Sequence, residues 1–327
     1  MRNLSDKQPE FDFVLDAYKE PARKPRATGY HRQPYIREAA TIIPKPETAQ
    51  TSSDCSSEHV KLIEQTKFAI LDLPRPFATP PGLVVEPFDE YNWETGERYE
   101  SILEARKPSL ATRGVLPSLK ENRLLQALSM GEFTIQLALM FHPYVVDIRE
   151  QYPYYTEEAY LRAQAAGKKM NRSDLLTFDL VLTYWHPNLR TQRYHVVSVK
   201  HARHILKKKD EDRIIKERTL CAGRDWTWEM LRSNAIPSRE LANYAALWSM
   251  AKSEKVRHLY ERSKRFADNL MTHSVRGTLE AVLERRAESM GVSMNTVVHL
   301  FVSAVSHGFV TLDHSKRVDT RLPIPLA

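Results

Sequence analysis

Between Leu175 and Lys200 the chain reads LLTFDLVLTYWHPNLRTQRYHVVSVK, two apolar runs rich in β-branched and aromatic residues on either side of a turn-like HPNLRTQ. Runs of this kind form neighbouring strands with at least one buried face. Each carries one misplaced charge. Asp179 lies between Phe178 and Leu180 inside the first strand, and Lys200 closes the second. A carboxylate or an ammonium taken out of water unpaired costs several kcal/mol. Whatever fold these strands join must therefore supply each charge with a partner or a metal.

The neighbouring sequence extends the pattern. YVVDIREQYPYY is a third strand, TEEAYLRAQAAGKK an inserted helix, KKKDEDRIIKERTLCAGR an amphipathic helix after Lys200, and DWTWEMLRS a return to the sheet. Upstream, PSLKENRLLQALSMGEFTIQLALMFHP reads as one long helix. Leu124, Leu125, Leu128, Ile135, Leu139 and Met140 recur near helical spacing between Pro117 and Pro143. The order helix, three strands, helix, strand is that of a layered α/β domain. Beyond Pro237 four helical patterns follow, the last closed by Gly308. FVTLDHSKRVDTRLPI after it is expected to form two short strands around Asp313 to Lys316. Helices followed by a small hairpin suggest a winged-helix module.

With 327 residues the chain is long for one ordinary domain and allows two cores with linkers. Residues 1–58 are rich in Pro, Ser, Thr and charge, and read as a partly disordered mobile arm. Within it Lys19, Arg23, Lys24, Arg26, Arg32 and Arg37 interleave with Tyr30 and Tyr35, as in arms that contact a DNA backbone and equally in a merely solvated basic tail. Residues 59–110 are a transitional segment without an assigned role, 111–235 the α/β domain and 236–327 the helical C-terminal domain. Lys and Arg number 48 against 41 acidic residues, a net charge of +7 that leans toward polyanionic partners. Cys55 and Cys221 lie far apart without zinc-finger spacing around them, and no apolar run is long enough to span a bilayer. A cytoplasmic protein with no membrane role is expected.

Three residues belong together by chemistry: Glu132 on the helix, Asp179 within a strand and Lys200 at the end of the next. Hard divalent cations such as Mg²⁺ take one or two carboxylates, with water and substrate phosphate completing the shell. A lysine beside such a metal holds the nucleophile and offsets charge developing on phosphorus oxygens. That is a phosphodiester-hydrolysing site. A plain Asp179–Lys200 salt bridge accounts for the strand pair alone equally well. An Asp on one strand, x-x-Lys ending the following strand and a Glu on the preceding helix form the pattern of restriction-endonuclease-like nucleases.

The stretches GEFTIQLALMFHPYVVDIREQYPYY, TFDLVL, SVKHA and KERTLCAGRDW occur in an order that resembles the TnsA-type endonuclease subunit of bacterial heteromeric transposases. The resemblance covers 121–232 clearly and the C-terminal region more weakly. It implies a restriction-endonuclease-like nuclease core followed by a winged-helix C-terminal domain. It further implies that Glu132 and Asp179 are metal-binding catalytic carboxylates and Lys200 the catalytic lysine, with Mg²⁺ as cofactor and Mn²⁺ able to substitute. The partners implied are transposon-end DNA, an integrase-fold transposase subunit and an AAA+ regulator ATPase, the last through the C-terminal domain. The activity implied is hydrolysis at the transposon 5′ ends. One departure stands out: Ser198 occupies the position two before the lysine, where the superfamily often has Asp or Glu and TnsA-type proteins have Gln. A hydroxyl there reaches a metal through water or not at all.

Other residues carry plainer readings. Glu150 is a supporting group or an exposed structural residue; His201 and His204 are basic surface residues without a third metal ligand. Lys207, Lys208 and Lys209, offset by Asp210, Glu211 and Asp212, read as a solvated helix start, and Trp226 and Trp228 as core. No glycine-rich phosphate loop is present, so ATP dependence belongs to a partner. Two other functions fit the same residues: a non-catalytic DNA-binding scaffold with a decayed nuclease fold, which Ser198 favours, and a stand-alone restriction-type nuclease.

Overall fold

The computed structural model describes residues 68–91, 93–101, 103, 105, 112–155, 157–166, 176–251 and 256–327. The mobile-arm reading of 1–58, with its basic stretch, lies outside these residues.

At the centre is a four-stranded mixed sheet whose strands lie side by side in the order they have in sequence. β3 (Val145–Tyr154), β4 (Leu176–His186) and β5 (Thr191–Lys200) are successively antiparallel, and β6 (Thr227–Arg232) runs parallel to β5. A parallel neighbour needs a crossover, which is supplied by α3 (Lys208–Gly223). α1 (Met130–Met140) precedes β3, and α2 (Glu157–Ala165) is the expected insertion between β3 and β4. The mixed α/β order anticipated for this region is therefore present.

The long helix expected over 117–143 is divided. Gly114–Pro117 (β1) and Leu124–Ala127 (β2) form a small antiparallel hairpin, and only Met130–Met140 is helical. Ser129 sets the helix start by accepting the Glu132 N–H (3.2 Å). In the turn before β2 the Ser118 hydroxyl accepts the N–H groups of Lys120 (3.2 Å) and Glu121 (3.1 Å), closing a loop that a helix would have had to run through. Leu124 is exposed and Leu125 buried, an alternation of period two.

Two cores flank the sheet. On one face α1 and the C-terminal helices pack against Leu180, Leu182, Tyr184 and Val197. On the other, Trp226, Trp228, Tyr152, Phe178 and Val181 meet α2, α3 and residues Trp93 and Tyr99. Trp226 and Trp228 are core residues, as the sequence suggests. Residues 68–101 wrap the sheet as a strap. Asp89 pairs with Arg149 (2.5 Å) and accepts the Tyr152 hydroxyl (2.7 Å) deep in the interior. β3 lies at the sheet edge yet is buried along its whole length. Its free carbonyls at Val146, Ile148 and Glu150 are taken by side chains of Arg257, Arg123 and Tyr99, respectively, which another strand would have to displace.

The C-terminal helices are α4 (Ser238–Ala251), α5 (Tyr260–Thr272), α6 (Leu279–Met290) and α7 (Met294–Ser306). Apolar packing runs without a break from the sheet through α4 to α7. The expected hairpin around Asp313 to Lys316 is not formed. Asp313 instead caps a turn through the Ser315 N–H (3.0 Å) and hydroxyl (2.6 Å), and Leu312 pairs with Leu326. Asn243 on α4 explains the difference: its side chain bonds Lys316 O (2.8 Å) and Val318 N–H (2.9 Å), the backbone groups a second wing strand would have used. Among the described residues no single helix is long and apolar enough to cross a membrane.

Candidate functional site

The sheet divides at Asp179. β4 and β5 pair from His186↔Thr191 to Leu180↔Val197 and then part. β4 stays with β3 as far as Tyr154↔Leu176, and β5 stays with β6 as far as Lys200↔Arg232. In the resulting wedge the Asp179 carboxylate replaces the missing ladder. Its Oδ2 accepts the Val199 N–H at 2.8 Å and the Ser198 hydroxyl at 3.4 Å. The charge inside an apolar strand is thus placed where the strand has lost its neighbour.

Glu132 reaches the same region from α1. The start of that helix lies against the end of β5 and the residue after β6: a Cβ on Gly131 would stand 3.0 Å from Ser233 Cβ and 3.4 Å from Val199 Cγ1. The Glu132 carboxylate accepts from Leu128 N–H (2.9 Å), the Ser129 hydroxyl (3.0 Å) and the Gln151 amide (3.1 Å). Burial nevertheless pushes its pKa up to about 7, and the Asp179 charge adds to the rise, while the three hydrogen bonds oppose it. The two carboxylates therefore sense each other across the fork.

Lys200 follows Val199 directly and shares Ser198's face of β5 by strand alternation. It is half-buried, and among the described residues no ion pair joins it to either carboxylate. The plain Asp179–Lys200 salt bridge is thus not formed. The cation at Asp179 is Arg213 of α3, at 3.7 Å from Oδ1. Arg213 also donates to Glu217 Oε1 (2.7 Å) and Thr177 O (2.9 Å), and buried Glu217 accepts the Trp228 indole N–H (3.1 Å).

Three members of this arrangement escaped the sequence reading: Gln151, Arg213 and Glu217. Gln151 has a left-handed backbone (φ 50°) between Glu150↔Leu180 and Tyr152↔Phe178, and its amide links Glu132 to the Thr177 hydroxyl (3.4 Å). Nothing in a strand pattern marks such a residue. Arg213 and Glu217 were visible only as an i,i+4 pair on an amphipathic helix. Glu150 is neither exposed nor part of the site. It is fully buried, pairs with Arg123 (2.8 Å) and accepts the Gln126 N–H (3.0 Å), anchoring the β1–β2 hairpin. His201 is exposed and His204 pairs with Asp210 (3.0 Å), so the two histidines do not converge.

Among the described residues no three His, Cys, Asp or Glu side chains converge into a protein-only metal cage. The donor set at the fork, two carboxylates with a nearby hydroxyl, fits a cation that keeps most of its waters and takes substrate phosphate oxygens, as Mg²⁺ does. Glu132 and Asp179 would hold it, and the Ser198 hydroxyl, bonded to Asp179 Oδ2 (3.4 Å), is the neutral group beside them. No known protein family matches the chain, and no curated protein is significantly similar to it.

Proposed function

We propose that the protein is a Mg²⁺-dependent DNA endonuclease, the subunit of a heteromeric transposase that hydrolyses the transposon 5′ ends. The observation that carries this reading is the fork in the sheet, where Asp179 spans from β4 to the backbone beside Lys200 and its charge helps raise the pKa of Glu132 on α1. The order α1, β3, β4, β5, α3, β6 supports a restriction-endonuclease-like core, and the resemblance of the DIREQYP, TFDLVL and SVKHA stretches supports the transposase assignment.

In this reading Glu132 and Asp179 hold the cation. A cation held there would supply positive charge to acidify the attacking water and to polarise the scissile phosphate. Lys200 holds the attacking water and offsets charge on the phosphorane oxygens. Gln151 and Ser129 fix the Glu132 carboxylate, and Arg213 at 3.7 Å orients Asp179. Transposon-end DNA is the substrate. The integrase-fold transposase cuts the other strand, and an AAA+ ATPase docks on the C-terminal helices, the region where the resemblance places a winged-helix module. Such a machine acts in the cytoplasm, at the chromosome.

Ser198 favours a second reading, a DNA-binding scaffold whose nuclease centre has lost a ligand. Cleavage of labelled transposon-end DNA in Mg²⁺ separates the two, with wild type, Asp179→Ala and Lys200→Ala each assayed with and without the transposase subunit. The endonuclease reading expects 5′-strand cuts that require the transposase and fall by at least about 10³-fold in both variants, the scale of losing a group that acts on the transition state. Normal cutting by either variant would show the assigned site to be wrong, and cuts without transposase point to a stand-alone nuclease. Bound DNA and 3′ cleavage without any 5′ cut would establish the scaffold.

A further inference from the structure

The loop between β5 and α3 begins where the proposed catalytic centre ends. Within it, exposed and more buried residues alternate: His201, Arg203, Ile205 and Lys207 point to solvent. Ile205 is 82% exposed, the largest exposure among the described large hydrophobic residues. A single exposed apolar side chain is ordinary on a loose surface. This loop is held. Arg232, the register partner of Lys200, donates to His201 O (3.2 Å) and His204 O (2.6 Å). Ser233 accepts the Ala202 N–H (3.0 Å) and donates its own N–H to Lys200 O (2.8 Å). His204 is fixed by Asp210 (3.0 Å). The tip carrying Ile205 is therefore fastened to the same sheet end that carries Lys200.

The charge around that tip is positive. Two of the three acidic residues that follow the basic run are engaged: Asp210 caps α3 through Lys207 N–H (3.1 Å) and binds His204, and Asp212 pairs with Lys208 (3.2 Å), while Glu211 is exposed. Among the described residues Arg203, Lys207 and Lys209 have no ion pair, and all three are exposed. An apolar side chain presented rigidly among unpaired cations matches the chemistry of a duplex, whose phosphates take the cations and whose base stack takes an apolar wedge. The core of a protein interface is depleted of charge, whereas the exposed cations Arg203, Lys207 and Lys209 lie around Ile205 in the chain.

We propose that this loop docks in a DNA groove with Arg203, Lys207 and Lys209 on phosphates and Ile205 inserted at a base step, unstacking the duplex beside the scissile phosphate. The proposal rests on the nuclease reading for its location but not for its readout. It extends that reading by giving the chain its own means of distorting the substrate.

The test uses the full chain carrying Asp179→Asn, which prevents cleavage, and a duplex with 2-aminopurine at several adenine positions. On binding, the fluorescence of the unstacked analogue is expected to rise several-fold. Adding Ile205→Ser is expected to abolish the rise while affinity stays within about twofold, because phosphate contacts dominate affinity. Lys207→Gln with Lys209→Gln is expected to weaken binding and to lower the salt slope by roughly 1 per lysine. A fluorescence rise that survives Ile205→Ser overturns the wedge, as does failure of the unaltered chain to bind duplex at low salt. Loss of self-association in Ile205→Ser with DNA behaviour unchanged would assign the residue to a protein contact instead. Failure of the nuclease reading shows separately, as absence of Mg²⁺-dependent cuts by the chain with intact Asp179 while the Ile205-dependent rise persists.

Discussion

Glu132 is where the site and the stability of the protein pull in opposite directions. Its carboxyl is raised to about 7 from an ordinary 4.5, by burial first and by the Asp179 charge second. A carboxyl whose folded pKa lies above its unfolded value favours folding fully below about 4.5, and that contribution is lost as pH rises to about 7. The loss is on the order of 3 kcal/mol. Glu132→Gln removes the titrating charge and keeps the shape, with one oxygen for Leu128 N–H and an amide facing the Ser129 hydroxyl. In metal-free buffer at pH 8 this variant is expected to melt several degrees above wild type, and in Mg²⁺ to be inactive. Equal or lower melting at pH 8 would mean that the carboxylate is not strained. For the wild type the proton and the cation compete for the same oxygens, so Mg²⁺ affinity should rise with pH up to about 7 and level off above it, with a proton released on binding. Isothermal titration in two buffers of different ionisation enthalpy measures that proton directly.

At the scale of elements, β3 to β6 and the helices after Pro237 were legible because long apolar periods leave little choice between helix and strand. The β1–β2 hairpin was not. Leu124, Leu125 and Leu128 fit a helical stripe as well as a short strand, and only the Ser129-x-x-Glu132 capping signature marks where the helix begins. Asp179 and Lys200 were legible as charges out of place in strands. The fork that makes sense of them was not, since it arises from β4 and β5 keeping different partners. Gly308 closes α7, as its place in the sequence predicts, and does more. It has φ 75°, and a Cβ there would stand 2.0 Å from Phe77 O and 2.9 Å from Pro143 Cβ. The end of α7 thus rests directly on the strap, where Thr79 N–H bonds His307 O (2.9 Å). Gly308→Ala combines left-handed strain with overpacking and is expected to cost on the order of 3 kcal/mol in urea unfolding. A cost below about 1 kcal/mol would mean that the strap yields and is not fixed at this point.

Across the whole molecule the strap decides whether the sheet is a closed structure. Residues 68–101 read in sequence as a transitional segment because Pro-rich stretches and short turns have no period. Their role lies in side chains that reach the sheet one at a time. Asp89 is the centre of that contact. One oxygen accepts the N–H groups of Tyr91 (2.9 Å) and Trp93 (2.8 Å), and the other pairs with Arg149 and the Tyr152 hydroxyl. Arg149 is fully buried on β3, and its further neighbour Asp147 stands at 3.5 Å. Removing Asp89 alone leaves a guanidinium short of charge in the interior, where breaking a buried pair costs about 3–5 kcal/mol. Replacing both partners removes the uncompensated charge as well as the attraction. Asp89→Ala is therefore expected to destabilise the protein by about that amount, and Arg149→Met with Asp89→Leu by clearly less than the single change. If the double variant is as unstable as Asp89→Ala or worse, the strap is held by the packing of Trp93 and Tyr99 in place of the ion pair. The same experiment bears on the fork: β3 carries both Arg149 and Gln151, so loosening the strap should slow any Mg²⁺-dependent cleavage through Gln151's hold on Glu132, without a change to either carboxylate.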